Sequence, residues 1–184
     1  MHQKISEISG KNIRLRLVSE QDAAFIHALR TAPMYSRYLS PVTGSVEDQR
    51  KWIAAYKSRE AAGAEYYYVI ERLDGHPCGV VRLYELTDDS FTWGSWILNA
   101  DKPSKAAFES AVLSFSIGFD ALGLYRGILD VRRDNAKAIA FYRRFGMTET
   151  GSDADNLYFE LTRERFAAKQ PELNNALQEG SCSA

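Results

Sequence analysis

Residues 103–122 carry the longest helical pattern of the chain, and this pattern is apolar over most of its surface. Phe108 and Phe115 mark its main stripe, and alanine, valine and leucine fill the positions between them. A helix this apolar has to be buried, and we expect it to pack against a β-sheet. Segments with strand-like patterns lie on either side of it, at 91–98 and 125–131. The order predicts a β-α-β unit with one parallel pair of strands.

The other predicted elements are mostly strands joined by short turns, which pair antiparallel. The predicted strands lie at 13–17, 66–71, 79–85, 91–98, 125–131, 147–150 and 156–161. Helices are predicted at about 20–32, 45–62, 103–122 and 135–145. Gly94 interrupts a strand, which predicts a bulge or the close approach of another segment. We therefore predict an α/β fold with a mixed, mostly antiparallel central sheet and helices on both faces.

A second informative stretch runs from Asp134 to Met147. Asp134 or Asn135 can cap a helix, because the side chain accepts a hydrogen bond from a free backbone N–H group. The apolar face of that helix consists of Ala138, Phe141, Tyr142 and Phe145. Gly146 ends the helix, since glycine adopts a left-handed conformation without strain. These patterns alone make Tyr142 a phenol on the buried face of a short amphipathic helix, and a purely structural core tyrosine is one interpretation.

The same residues resemble the helix-and-turn motif of the GNAT superfamily of N-acetyltransferases, through Asn135, Tyr142 and the Gly-Met pair at 146–147. The predicted order of elements is similar to the GNAT order over about residues 12–166. The resemblance implies a GNAT-like fold and direct transfer of an acetyl group from acetyl-CoA, the co-substrate, to a primary amine. It also implies that Asn135 lies near the acyl-CoA arm and that Tyr142 protonates the leaving CoA thiolate.

The start of the long helix is where the resemblance implies that the CoA pyrophosphate binds, on N–H groups of the first turn. The contacting residues would be Ser104, Lys105, Ala106 and Ala107. The stretch departs from the family pattern, because Pro103 stands where Gln or Arg is usual and Ser104 stands where the first glycine is usual. In one interpretation the amides still bind CoA. In the other, Pro103 only begins a helix, and the chain is a degenerate domain that binds acyl-CoA or a protein partner without turnover.

The strand before that helix is implied to bind the pantetheine arm. Trp96, Ile97 and Leu98 would pair with the arm through backbone hydrogen bonds, as an added strand does. A backbone N–H near the predicted bulge can stabilise the oxyanion. Tyr142 is the candidate catalytic acid, and Glu85, at the end of a strand near the presumed cleft, is the candidate base. A solvated strand end is the other interpretation of Glu85.

The segment before the second predicted helix usually shapes the acceptor site in this family. Arg37 can bind a phosphate or carboxylate there, and Tyr38 and Trp93 can cover a sugar ring or a peptide. Simple packing is the other interpretation of these aromatic residues. The chain resembles both ribosomal-protein N-terminal acetyltransferases and enzymes that acetylate amino groups of nucleotide-linked sugars. We expect a small, polar or sugar-like amine, because a nearly neutral chain does not attract a basic ribosomal protein over long range.

Composition excludes several other classes of function. The formal net charge is −1 and no Lys/Arg-rich run occurs, so nucleic acid is not an expected partner. Scattered histidines and two cysteines outside any CxxC pattern predict no metal site. Without an apolar run for a membrane span or a signal peptide, we expect a cytoplasmic monomer or homodimer. The expected organisation is an extension at 1–11, a GNAT domain at 12–166 and a flexible tail at 167–184.

Overall fold

The computed structural model describes residues 5–178, which form eight strands and six helices. The strands are β1 (Glu7–Ser9), β2 (Ile13–Leu17), β3 (Tyr66–Arg72), β4 (Pro77–Tyr84), β5 (Ser90–Leu98), β6 (Arg126–Arg132), β7 (Thr148–Ser152) and β8 (Asn156–Thr162). The helices are α1 (Ala23–Thr31), α2 (Pro33–Ser36), α3 (Val46–Ala61), α4 (Ala106–Ser116), α5 (Ala136–Phe145) and α6 (Arg163–Gln178). A 3-10 turn precedes α1, and a π-helical turn at Ile117–Ala121 continues α4.

The eight strands form one sheet in the order β1-β2-β3-β4-β5-β6-β8-β7. Neighbouring strands are antiparallel except β5 and β6, which are parallel and joined through α4. The predicted mixed, mostly antiparallel GNAT-like sheet and its single β-α-β unit are therefore confirmed. The sequence does not predict β1, because three residues are too few to show an alternation. This strand lies in the expected extension at 1–11, of which residues 1–4 fall outside the described part.

Helices cover both faces of the sheet, as predicted. On one face, aromatic rings of α4, α5 and α6 meet in the core, where Phe115 lies 5.7 Å from Phe145 and 6.3 Å from Phe166 between ring centroids. On the other face, Ile26 of α1 and Tyr56 of α3 are fully buried against β3 and β4. Each face thus has its own apolar cluster, and the sheet separates them.

The ends of α5 follow the local sequence signals. Asn135 is the N-cap, and its Oδ1 accepts a hydrogen bond from the backbone N–H of Ala138 at 3.2 Å. Gly146 follows the last helical residue with a φ of 99°. The long helix begins later than predicted, because Lys105, with a φ of 63°, is the residue that turns the chain into α4.

The flexible tail expected at 167–184 requires a correction, because all of its described part lies in α6. Phe166 and Leu173 of α6 are 2% and 3% exposed, so this helix packs on the domain core. Pro171 lies inside α6 and hides the helical pattern, since proline usually ends a helix. Residues 179–184 lie outside the described part, and the domain boundaries remain a prediction.

Phe91 holds the parallel strands and α4 together. Its ring lies over Gly127 of β6, where an added Cβ would come within 2.9 Å of it, and over Gly118 of the π-helical turn, where a Cβ would overlap it. The Phe115 and Phe119 rings complete its surroundings at 5.9 and 5.4 Å. Because both positions are glycines, β6 and the π-helical turn after α4 can both pack closely against the Phe91 ring of β5.

Replacing Gly118 by Ala is expected to destabilise the protein, although Ala usually stabilises a helix relative to Gly by about 0.5–1 kcal/mol. The added methyl group would overlap the Phe91 ring, and overpacking a core costs about 1–3 kcal/mol. Thermal unfolding should show a Tm that is lower by several degrees. The control Asp120→Ala, at an exposed position of the same turn, should leave the Tm almost unchanged. A Gly118→Ala variant as stable as the wild type would contradict this packing.

Candidate active site

A cleft opens where β5 and β6 part. The two strands pair only over residues 90–92 and 126–128. Beyond that point they diverge, and a cleft of about 710 Å³ lies between them. Its walls are the second half of β5, the end of β6, one side of α5 and the segment from the end of α1 to residue 40.

A bulge in β5 contributes to this divergence. Val80 pairs with Ile97 while Arg82 pairs with Gly94, so two residues of β5 lie opposite the single residue between them on β4. Ser95, inside the bulge, has a φ of 48°, a strained value for a residue with a side chain. A Cβ on Gly94 would lie 3.1 Å from the hydroxyl of Tyr84. The bulge and the close approach predicted at this glycine are therefore both present.

Two indole rings form the floor of the cleft. Trp93 Nε1 donates a hydrogen bond to Ser114 Oγ at 2.8 Å, and Trp96 Nε1 donates to Ser110 Oγ at 3.1 Å. The two serines are fully buried on α4. Their role was not predicted from the sequence, although serines spaced four residues apart on an apolar helix are a signal for buried polar partners.

Tyr142, a residue of α5, lines the cleft next to this floor. Its ring lies 6.1 Å from Trp93 and 6.4 Å from Trp96 between centroids, and the residue is 7% exposed. No described residue forms a hydrogen bond with its hydroxyl. Burial raises the pKa of Tyr142, and the negative charge of Asp130 raises it further. The side chain is thus a protonated phenol with an unengaged hydroxyl at the cleft.

Most residues expected to contact the donor do line the cleft. Trp96, Ile97 and Leu98 lie along its β5 wall, and Asn135 lies at its α5 wall. Ala107 also lines it, at the first turn of α4. β5 and the starts of α4 and α5 therefore line one cleft, while their contacts with a donor stay a prediction.

The start of α4 only partly matches its expected place. Ser104, Lys105 and Ala106 do not line the cleft, and the Lys105 ammonium instead donates a hydrogen bond to the carbonyl of Ala176 in α6. The N–H of Ala106 donates to the carbonyl of Pro103 at 3.2 Å. Within residues 5–178, no carbonyl accepts from the N–H group of Ala107, which lines the cleft, so this first-turn donor remains available to an anion.

Two predicted site residues lie away from the cleft. The Glu85 carboxylate accepts a hydrogen bond from Thr92 Oγ1 at 2.8 Å and borders a separate, smaller pocket with Arg59 and Arg82. Glu85 is therefore not retained as the base. Arg37 is 70% exposed, with a guanidinium nitrogen 3.9 Å from an Asp134 carboxylate oxygen, and it does not line the cleft either. Tyr38 and Trp93, the other expected acceptor contacts, do line it.

Most charged residues of the cleft, all except Lys102, were not predicted from the sequence as site residues. Among the described residues, the lining includes five cationic side chains and one carboxylate. The cations are Arg30, Lys102, Arg132, Lys137 and Arg144. The carboxylate is Asp130, on β6. Only the charge alternation in Arg126–Arg132 could have hinted at it, because that strand buries every second residue.

Two kinds of site are absent from the described part of the chain. Residues 5–178 contain no cluster of His, Cys, Asp and Glu side chains that could hold a metal ion. None of the helices in the same range has the length and apolar character of a membrane span.

Comparisons with known proteins identify relatives over most of the chain. The family model described as Acetyltransferase (GNAT) domain matches residues 12–148. Spermidine N(1)-acetyltransferase of Escherichia coli (strain K12) is 28% identical over 147 residues, which cover 78% of this chain and 76% of that protein.

Solved structures agree with this family match. Apo FdhC, a nucleotide-linked sugar GNAT, is 36% identical with a TM-score of 0.81, covering 94% of this chain and 96% of FdhC. Spermidine N-acetyltransferase from Vibrio cholerae, in complex with CoA and spermine, has a TM-score of 0.73 at 21% identity and covers 84% of this chain and 98% of its own. The second similarity supports the fold alone.

Proposed function

Because the chain belongs to the GNAT acetyltransferase family, we propose that it is an acetyl-CoA-dependent enzyme that acetylates the primary amine of a nucleotide-linked amino sugar. Membership in this family supports N-acetyltransferase activity on amines. We choose this acceptor because of the charge of the cleft, which has five cations and one carboxylate among its described lining residues.

The gap between β5 and β6 suits the extended arm of acetyl-CoA. Past Thr92, no strand within residues 5–178 pairs with β5 on its β6 side, so its main chain is available to an extended ligand. Trp96, Ile97 and Leu98 lie along this stretch. The first-turn N–H groups of α4 and the nearby ammonium of Lys102 favour the pyrophosphate, because both attract anions. Backbone donors can act here without the glycines that the family usually has.

Tyr142 is suited to protonate the leaving sulfur. The amine nitrogen attacks the thioester carbonyl carbon, the C–N bond forms, the C–S bond breaks and the sulfur leaves as a thiolate. The Tyr142 hydroxyl is unengaged, and its raised pKa keeps it protonated at neutral pH. It can therefore supply the proton that the thiolate needs. A backbone N–H at the Ser95 bulge can stabilise the oxyanion of the tetrahedral intermediate.

The charge of the cleft favours an acceptor that carries negative charge. A polyamine has several ammonium groups, and the five cations around the cleft repel them. The diphosphate of a sugar nucleotide is attracted by the cations other than Lys102, while its single amine can react. FdhC, 36% identical over nearly the whole chain, is a nucleotide-linked sugar GNAT. The similarity to FdhC and the charge of the cleft thus favour the same acceptor class.

Arg30 takes the anion-binding role first expected of Arg37. Arg30 lines the cleft at the end of α1, beside Tyr35 and Tyr38. Its Nη2 donates a hydrogen bond to the carbonyl of Ser40 at 3.2 Å, and its Nε is buried, with the guanidinium acting on the buried Tyr67 hydroxyl. The remaining N–H groups of this guanidinium can bind an anionic ligand, because hydrogen bonds from a guanidinium to phosphate are charge-assisted.

The proposed function is tested by offering a panel of amines with acetyl-CoA and following the release of free thiol. UDP-linked and dTDP-linked amino sugars, spermidine, aminoglycosides and peptides with free N-termini form the panel. We expect at least one amino sugar nucleotide to have the highest kcat/KM, and its turnover to fall as salt rises, because screening weakens the attraction. Faster acetylation of spermidine or of peptides would overturn the choice of acceptor but not of family. Failure of acetyl-CoA to raise the Tm would favour the degenerate domain.

Replacing Tyr142 by Phe removes only the hydroxyl group. The loss of a general acid typically lowers the rate by about 10²–10⁴-fold, so kcat should fall by at least the lower value. The Tm shift produced by CoA should stay the same, because the ring contacts with Trp93 and Trp96 remain. Tyr125→Phe, at a 59% exposed tyrosine outside the cleft, serves as the control and should keep full activity. Equal turnover in both variants would make Tyr142 a packing residue.

Arg30→Gln and Arg37→Gln form a matched pair that tests the acceptor site. Losing a hydrogen bond to a charged group costs about 1.5–3 kcal/mol, so Arg30→Gln should raise the KM of the amino sugar nucleotide about tenfold or more. Arg37→Gln should change that KM less than twofold, since Arg37 lies outside the cleft. Neither variant should change the KM of acetyl-CoA strongly. The opposite ranking would restore Arg37 as the anion-binding residue.

A further inference from the structure

Asp130 lies on β6 where this strand has left β5. The last residue of β6 that pairs with β5 is Ile128, and Asp130 follows two positions later on the same face of the sheet. Its neighbours Leu129 and Val131 point into the core, at 5% and 6% exposure. The strand alternation thus directs the carboxylate of Asp130 away from the core and into the cleft wall.

Asp130 is an unpaired anion in a cationic cleft. It is the single carboxylate among the described lining residues, and no described residue forms an ion pair or hydrogen bond with it. Its charge contributes to the raised pKa of Tyr142 on α5, Tyr84 on β4 and Tyr158 on β8. Tyr84 and Tyr142 line the same cleft. The carboxylate therefore acts on the hydroxyl groups that surround the cleft while its own hydrogen-bonding capacity is unused.

We propose that Asp130 holds the acceptor nitrogen beside Tyr142 and takes a proton from it as the amide bond forms. This inference rests on the proposed function and names the residue that recognises the amine. A carboxylate without a protein partner attracts an ammonium group, and the surrounding cations direct the anionic remainder of the acceptor elsewhere. The acceptor class that fits is a zwitterion with one amine and a distant phosphate or carboxylate.

The protons and electron pairs of the reaction balance with these two residues. The acceptor enters as an ammonium ion, loses one proton to water and attacks the thioester carbon through its nitrogen lone pair. As the C–N bond forms, positive charge develops on nitrogen, and the carboxylate of Asp130 stabilises it. Asp130 then takes a nitrogen proton, the C–S bond breaks and the thiolate takes the Tyr142 proton. Transfer of the Asp130 proton through water to the tyrosinate restores both residues, and the products are the acetamide and free CoA thiol.

Asp130→Asn tests this role, with Glu160→Gln as its control. Glu160 is a carboxylate on the same sheet face of neighbouring β8, paired with Arg126 and outside the cleft lining. We expect Asp130→Asn to lower kcat/KM for the amino sugar nucleotide by about 100-fold or more. The CoA-induced Tm shift should be kept, and Asp130→Glu should recover part of the rate. Glu160→Gln should stay within twofold of the wild type.

A binding measurement separates recognition of the amine from a general loss of activity. Calorimetry with UDP-glucosamine and UDP-glucose compares an ammonium group with a hydroxyl group on the same nucleotide sugar. We expect the wild type and Glu160→Gln to prefer UDP-glucosamine by about tenfold. The Asp130→Asn variant should bind both ligands equally, because its amide has no charge to attract the ammonium.

The outcomes distinguish this inference from the function on which it rests. If the wild type acetylates an amino sugar nucleotide and Asp130→Asn does so equally well, the role of Asp130 is wrong and the function stands. If Asp130→Asn loses activity but keeps the preference for UDP-glucosamine, Asp130 does not recognise the amine. If the wild type acetylates no amine in the panel, the proposed function itself fails.

Discussion

The cleft depends on one constraint, which is that β5 and β6 pair over three residues and no further. In the paired part, Phe91 packs over glycines of β6 and the π-helical turn and holds these segments together. Beyond it, the bulge at Ser95 and the Tyr84 ring over Gly94 accompany the divergence. Had pairing continued, the two main chains would satisfy each other's hydrogen bonds and no extended ligand could enter. The proposed donor site therefore consists chiefly of backbone, and a site of this kind does not require the glycine that Ser104 replaces or the Gln or Arg that Pro103 replaces.

Parting two central strands opens a gap in the sheet, and the two indoles form its floor. Trp93 and Trp96 bring polar N–H groups into the protein, where an unpaired donor costs about 1–3 kcal/mol. Ser114 and Ser110 accept these hydrogen bonds, and Ser114 Oγ in turn donates to the carbonyl of Ser110 at 2.7 Å. Tyr142 is then held by ring packing rather than by a hydrogen bond, so its hydroxyl keeps its donor proton for a ligand.

Local sequence signals predicted the features that depend on neighbouring residues in the chain. They did not predict the positions of side chains that depend on how distant segments pack. The caps of α5, the bulge near Gly94 and the stripe of α4 come from short-range rules, and the structure confirms them. Arg37 looked suitable because it lies in the right segment, but its direction depends on how that segment packs, and it points outward. Asp130 lines the cleft only because β6 diverges from β5 after Ile128, and a hydrophobic pattern does not show where two strands diverge. A proline inside α6 likewise concealed a helix that packing stabilises.

The raised pKa of Tyr142 limits how it can act as an acid. A tyrosine, with an ordinary pKa of about 10, is a weaker acid than a thiol at about 8.5, and burial widens this difference. Protonation of a thiolate by Tyr142 alone is therefore unfavourable. It becomes favourable when the proton that leaves the reacting nitrogen replaces the one that leaves Tyr142. A carboxylate that lines the same cleft as Tyr142, and that has no partner among the described residues, can relay that proton. In the mechanism proposed here, the phenol gives its proton to the thiolate and Asp130 returns one to it through water, so the two groups work as a pair.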